Sequence, residues 1–361
     1  MSEFNVSAFG RRRGAVGSPA AHYGNPVGEQ RALAAGDAIV DLSDREVLTI
    51  TGVDRLTWLD SLTSQSVAGL APGESAETLL LDPSGRIEYA IRVVDDGETT
   101  WLLLDAGQSA GLLAFLDRMR FMLRVEVADR SAEFATVGSL GAAVPAVAAP
   151  NGVPLTWQDP WRAVVTGGHQ YAAATDHPAA SWTYSESLIT RDRLAELDSI
   201  PAAGTLALEA LRIAAWRPRA ATEVDATSIP HELDWLRSAV HLSKGCYRGQ
   251  ETVAKVHNLG HPPRRLVMLH LDGSDGVLPP AGAPVSLGGV EVGRVTVAAL
   301  HHELGPIALA VVKRSADPAA TLTVTADDGT VIPAAQQLVV PPDAGAEADV
   351  PRLPRLGSVR R

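Results

Sequence analysis

The sequence predicts an α+β fold in which antiparallel sheets carry helices on one face and a small β-barrel closes the C-terminal part. Three observations predict it. ETLLLD, RIEYAIRVV and TTWLLLD are short apolar runs parted by Asp82-Pro83-Ser84-Gly85 and by Asp95-Asp96-Gly97, both turn chemistry, which is the pattern of an antiparallel meander. SAGLLAFLDRMRFML then places Leu112, Leu113, Leu116, Met119 and Leu123 at helical spacing. From Arg264 onward, RRLVMLHLDG, APVSLGGVEVGRVTVAAL, GPIALAVVKR and TLTVTADDGTVI read as strands divided by glycine and proline turns. Closing them into a barrel removes their exposed edges.

The remaining elements follow in order. Glu46 to Ile50 reads as a short strand that passes through Gly52-Val53-Asp54 into a helix, RLTWLDSLTSQSV, with Asp54 available as its cap. RVEVAD alternates like a half-buried strand. Ala132 to Ala180 is rich in Ala, Gly, Val and Pro and reads only as short strands and loops. RDRLAELDS and TLALEALRIAAW read as core-packing helices, the second capped by Thr205 and ended by Pro218.

Composition narrows the class. A chain of 361 residues exceeds what one core usually organises, so two or three subdomains are expected. No stretch approaches the roughly 18 uninterrupted apolar residues of a membrane span, which predicts a soluble protein. One cysteine makes no internal disulfide, and the first residues lack the apolar core of a secretory signal. Arg11, Arg12 and Arg13 are followed by GAVGSPAAHYG, too polar for a twin-arginine signal, so the reading is cytoplasmic. A net charge of -11 argues against general nucleic-acid binding, which needs a surplus of cations, and leaves a local basic patch open.

The stretch KGCYRGQETVAKVHNLG, Lys244 to Gly260, holds the only cysteine. Lys244 and Arg248 supply a field that stabilises a thiolate, lowering a pKa that starts near ~8.5. Gly245 and Gly249 permit a tight turn and close approach to a ligand. A buried, inert cysteine is the competing reading, since charges close in sequence need not be close in space. Zinc is disfavoured, because Cys246 with His257 and His261 falls short of any ligand spacing. His301 and His302 are adjacent on an extended chain and face opposite ways, so they read as turn or surface histidines. GCYRGQE also lacks the spacing of a phosphate loop.

KGCYRGQE resembles the signature of the YgfZ family of tetrahydrofolate-binding proteins, relatives of the aminomethyltransferase (T-protein) of the glycine cleavage system. HYGNPVGEQRALAAGDAIVDLSDREVLTITGVDRLTWLDSLTSQSV resembles the start of the aminomethyltransferase fold, LLLDPSGRIEYAIRV its hairpin, and LEALRIAAWRPRAATEVDATSIPHELDWL the stretch before the signature. The resemblance covers most of residues 22 to 315 and is poorest between 132 and 180. It implies an aminomethyltransferase-like cloverleaf, with two α+β subdomains over 21–260 around a folate pocket and a β-barrel over 261–340; composition adds a disordered N-terminal tail over 1–20 and a disordered C-terminal tail over 341–361. It also implies tetrahydrofolate or a one-carbon derivative as ligand, with Glu88 and Tyr89 on the pocket wall and Gly245, Gly249, Gln250 and Lys255 beside it. Cys246 would be the functional thiol, with Lys244, Arg248 and Glu251 around it, and Lys244, Arg248 or Lys255 meeting the glutamyl tail. The implied role is accessory, in assembly or repair of iron–sulfur proteins and through them in tRNA modification, with iron–sulfur client or assembly proteins as partners.

Two departures qualify that reading. Where the aminomethyltransferase hairpin carries a pair of aspartates, this chain has Glu88 and Tyr89, and a phenol with a pKa near ~10 is a poor proton acceptor at neutral pH. This argues against glycine-cleavage chemistry. Where relatives read LRLEAG, with a glutamate on the pterin, this chain has Ala214. Three readings stay open: a folate-binding accessory protein, a tetrahydrofolate-dependent one-carbon transferase or demethylase using Glu88, and an interaction module with an inherited, empty pocket.

Overall fold

Helix α1 (Pro26–Ala34) begins where Asn25 accepts a hydrogen bond from the Gly28 amide at 3.0 Å, with Pro26 supplying the first helical φ. The chain is described here by a computed structural model covering residues 9–172 and 177–348. After α1 come β1 (Ile39–Leu42), β2 (Glu46–Thr51), α2 (Arg55–Leu62), β3 (Ser75–Leu81), β4 (Ile87–Asp95), β5 (Thr99–Leu104), α3 (Ser109–Met119), β6 (Glu126–Asp129) and β7 (Phe134–Leu140). Then follow β8 (Thr156–Gln158), β9 (Tyr184–Thr190), β10 (Ala202–Ala203), α4 (Thr205–Ala214), α5 (Ala220–Glu223) and α6 (Gln250–Leu259). The C-terminal strands are β11 (Arg264–Leu271), β12 (Pro284–Leu287), β13 (Val290–His301), β14 (Gly305–Lys313), β15 (Leu322–Thr325) and β16 (Val331–Leu338).

The expected α+β architecture is present. One sheet has the order β3-β4-β5-β2-β6, and its meander β3-β4-β5 is antiparallel as the turns predict. Ile91 and Val93 point from β4 into a core closed by Trp58 and Leu59 of α2 and Leu112 and Leu116 of α3. The alternate residues Ala90 and Arg92 therefore face the other way, toward the middle of the molecule. A second sheet, β10-β1-β7-β9-β8, is built partly from the stretch that carries little periodicity. The last six strands close into a barrel, β11-β14-β13-β12-β15-β16, filled by Val267, Leu269, Val285, Val295, Val312 and their neighbours. This barrel packs against α4, where the Trp216 indole meets Met268 Sδ at 3.2 Å.

Several local expectations are corrected. Asp54 stands before α2 but makes no side-chain cap; its carboxylate holds the backbone and guanidinium of Arg124 instead. Thr205 is the first residue of α4, and its cap position belongs to Gly204. RDRLAELDS forms a 3-10 helix over Arg191–Leu197. Of the expected N-terminal tail, residues 9–20 are ordered against the second sheet: Phe9 is fully buried, and Arg12 donates to the carbonyls of Leu197 and Ile200. Residues 1–8 lie outside the described residues. The first part of the expected C-terminal tail is likewise packed, since Ala344 is buried and the Glu347 amide donates to the His257 carbonyl of α6 at 2.9 Å. Residues 349–361 lie outside the described residues.

Candidate functional site

Where the inner faces of the two sheets meet α4, the charged side chains form a ring. Glu186 of β9 is fully buried and is held by three donors, Arg45, Arg92 and the Tyr184 hydroxyl, all on its Oε1. Arg92 also donates to Asp105 at 2.9 Å. Arg219 reaches Asp105 and Glu209, each at 3.3 Å. Arg212 of α4 joins Glu209 at 2.7 Å and Glu223 at 2.8 Å. On the far side, Arg217 bridges Glu77 at 2.6 Å and Asp159 at 2.9 Å. The walls are aromatic: Trp157, Trp182, Tyr184 and Trp235. The barrel stands behind α4 and contributes through Thr296, which donates to Glu223 at 2.8 Å.

The electrostatics follow from burial. Removal from water pushes the Glu186 carboxyl up, but the guanidiniums of Arg45 and Arg92 outweigh it and hold the group ionised, below the usual carboxylate range. The same contest leaves Asp105 far below its ordinary value. Burial pushes the Tyr184 hydroxyl well up, so it stays a neutral donor. The ring is nevertheless incomplete. Among the described residues, Glu186 Oε2, Arg45 Nε, Arg92 Nη1 and Arg212 Nε are buried without a hydrogen-bond partner. Such groups cost roughly 1–3 kcal/mol each when left unmade. The room between these side chains is about 40 Å³, little more than a water's worth of space.

The residues singled out from the sequence sit elsewhere. Glu88 and Tyr89 are not on the wall of this cavity; the hairpin contributes Ala90 and Arg92 to it. Both line an open groove of about 520 Å³ on the outer side of α3, together with Gln108, Phe115, Arg118 and Arg248. There Arg248 is paired with Glu88 at 2.6 Å. Burial and the neighbouring Glu88 push the Tyr89 phenol up, so it stays protonated at neutral pH. Lys244 is no free cation: its side chain is 3% exposed, and its ammonium donates to the carbonyls of Asp60, Thr63 and Gln65 and pairs with the Asp60 carboxylate. It closes the end of α2. Cys246 is exposed, which removes the packing reading but leaves its chemistry open. Gly245 is exposed with open space at its Cβ position. Gly249 has φ +85°, and a Cβ there would stand 2.7 Å from the Asp82 carbonyl, so it seats the hairpin turn against α6. Gln250 donates to the Lys244 carbonyl at 3.3 Å, while Glu251 and Lys255 are exposed on α6. Ala214 does not line the cavity, and the carboxylate that α4 sends there is Glu209.

Arg45, Glu77, Arg92, Glu186 and Glu209 were not singled out by sequence reasoning. A signal existed. Arg92 in AIRVV and Glu77 in AETLLL are charges flanked by uncharged, largely apolar residues, and a charge in that register is buried only if it has a partner. Among the described residues there is no cluster of histidine, cysteine and acid side chains able to hold a metal ion, and no helix long and apolar enough to cross a membrane.

Comparison with known proteins agrees with this architecture. Residues 264–341 match the family described as the glycine cleavage T-protein C-terminal barrel domain. Over 304 residues the chain is 26% identical to an aminomethyltransferase of Herpetosiphon aurantiacus, covering 81% of this chain and 82% of that protein. It is 23% identical over 277 residues to a chloroplastic protein of Arabidopsis thaliana described as a candidate transferase, covering 72% of this chain and 61% of the plant protein, less than two thirds of its length. The crystal structure of the glycine cleavage system aminomethyltransferase T from Bartonella henselae superposes with a TM-score of 0.67 at 18% identity, covering 90% of this chain and 92% of that one. The fold is thus that of the glycine cleavage T-protein. Together the matches support the aminomethyltransferase-like superfamily as the group to which this chain is related.

Proposed function

We propose that this chain binds a reduced folate with its pterin in the central cavity. The observation that carries the reading is the fully buried Glu186 carboxylate with one oxygen, Oε2, unpartnered among the described residues, in a cavity whose lining includes Trp157, Trp182 and Trp235. A pterin is flat and suits an aromatic wall, and its edge offers N–H donors to a carboxylate and a carbonyl to an arginine. Glu186 accepts from that edge while Arg45 and Arg92 keep it ionised; the free Arg92 Nη1 serves the carbonyl. When bound, tetrahydrofolate supplies a carrier for a one-carbon unit.

Ligand sites usually measure roughly 300–1,000 Å³, so 40 Å³ describes a closed form. Arg219 and Glu209, the more exposed members of the ring, are the side chains that must swing aside. Their ion pairs are exchanged for ligand contacts, which limits affinity.

The finer role we favour is accessory, in assembly or repair of iron–sulfur proteins and through it in tRNA modification, in the cytoplasm. The exposed Cys246 in its KGCYRGQE loop supports it. The names of the two curated relatives favour the alternative, a folate-dependent transferase. Glycine cleavage is disfavoured, because Tyr89 is a neutral phenol outside the cavity and Glu88 is engaged by Arg248. Titration with (6S)-tetrahydrofolate, read by quenching of tryptophan fluorescence, tests the ligand; turnover of methylene-tetrahydrofolate separates transferase from accessory protein.

A further inference from the structure

Strand β11 opens with two arginines that the pleat sends to opposite faces. Arg264 points out of the barrel, where Asp225 at 2.6 Å and Glu232 at 2.8 Å take up its charge. Arg265 lies in register with Val312 and begins the inward row that continues through Val267 and Leu269, so its side chain enters the barrel. It is 0% exposed. Its two acceptors, the Ala316 carbonyl and Gln336 Oε1, each at 3.0 Å, are both held by Nη2. Nε and Nη1 have no partner among the described residues, so the one N–H on Nε and the two on Nη1 are unused out of the five that a guanidinium carries. Burial pushes the group's pKa down, and no neighbouring acid opposes the shift. A buried lysine or carboxyl escapes this cost by becoming neutral, but an arginine keeps its charge. A buried charge of this kind needs a counter-charge.

We propose that this end of the barrel holds a small monovalent anion, of the class of chloride, on Nε and Nη1 of Arg265. The cover over the guanidinium is thin. The loop between β14 and β15 crosses it, tied down by Gln336 Nε2, which donates to the carbonyls of Asp317 at 2.7 Å and Ala320 at 2.9 Å. Ala316 is buried beneath that loop, whereas Ser315, Asp317, Pro318 and Ala319 are exposed, so a small ion has a short way in. The loop's own carboxylate does not supply the counter-charge, because Asp317 Oδ1 is turned to the Ala319 amide at 2.9 Å. Charge and size follow from the neighbours. A phosphate brings more than one charge and asks for donors on several sides, while beyond the guanidinium stand Val267, Val312 and Ala316. One chloride matches one guanidinium and gives its idle donors an acceptor. Binding to the closed barrel and not to the unfolded chain makes the ion a stabiliser of the fold. The site is separate from the central cavity, and its test uses no folate.

The experiment melts the full chain at constant ionic strength while sodium gluconate, whose anion is too large for the site, is exchanged stepwise for sodium chloride. The melting temperature of the parent should rise with chloride and saturate, by roughly 2 °C or more. Arg265→Met, which removes the charge and keeps much of the bulk, should melt at the same temperature in both salts. Crystals of the parent grown in sodium bromide give a reading that needs no variant, since the anomalous signal should place a bromide beside Nε and Nη1. Equal melting of the parent in the two salts, a chloride response retained by Arg265→Met, or a water in place of bromide beside the guanidinium would overturn the proposal.

Discussion

Lys244 and Cys246 stand two residues apart and do opposite things. Lys244 spends its charge inside, on three carbonyls and the Asp60 carboxylate, whereas the Cys246 thiol faces solvent. Lys244→Met should therefore cost stability, roughly 1–3 kcal/mol for buried acceptors left without a donor, visible as a lower denaturant midpoint. Cys246→Ala should leave that midpoint within ~0.5 kcal/mol of the parent, and the native thiol should react with iodoacetamide without denaturation. Unchanged stability in Lys244→Met, or a thiol that reacts only when unfolded, would contradict these assignments. From the sequence the two residues looked like parts of one site, since both belong to KGCYRGQE. What the sequence did not carry was direction: a lysine beside a cysteine has a long stem, and only the fold shows that it turns back to the end of α2.

The element that fixes this loop is α6, whose first turn meets the β3–β4 turn through two glycines. Gly249 has φ +85° and faces the Asp82 carbonyl; Gly85 has φ +79° and faces Thr252. Gly249→Ala adds both a strained conformation and a clash with backbone, so a loss of roughly 1–3 kcal/mol or more is expected, with Gly245→Ala nearly neutral because nothing occupies the space at its Cβ. Thermal melts of the two variants decide it; equal losses would mean that the turn is not seated as described. Elements with a strong period or turn chemistry were legible in the sequence: the β3–β4–β5 meander, α3, α4 and the barrel strands. Strands β1, β8 and β9 were not, because they are short and bounded by irregular segments, and β9 mixes Tyr184, Ser185, Glu186 and Ser187 in a way that no binary pattern predicts. The cavity ring was illegible for a related reason. Arg92 of the first sheet and Glu186 of the second are far apart in sequence and become partners only when the two sheets face each other.

The whole molecule buries titratable groups whose linkage to folding can be measured. Burial holds the His231 imidazole down at about 3 and that of His177 at about 4, whereas unfolded histidines titrate near ~6.5. As pH falls below ~6.5 the unfolded chain takes up protons that the native state refuses, so stability falls until the folded values are reached. Asp234 acts with the opposite sign: burial pushes its carboxyl up to about 7, so from the unfolded value near ~3.9 up to about 7 the unfolded chain ionises while the native group stays protonated, and stability falls as pH rises through that window. His231→Gln isolates the first effect and should lose about 2 kcal/mol less stability than the parent between pH 7.5 and pH 5; identical slopes would show that His231 is not buried neutral. The assembly of two sheets, α4 and a barrel around a charged, aromatic-walled cavity has its most exacting test in ligand binding. Calorimetric titration with (6S)-tetrahydrofolate should give saturable binding to the parent chain, accompanied by tryptophan quenching. A folded Glu186→Gln variant, which keeps the shape but loses the charge facing the pterin edge, should bind about 10- to 100-fold more weakly, the equivalent of one charge-assisted hydrogen bond. Absence of binding to the parent at millimolar folate, or unchanged affinity in a folded Glu186→Gln, would contradict a folate site in the central cavity.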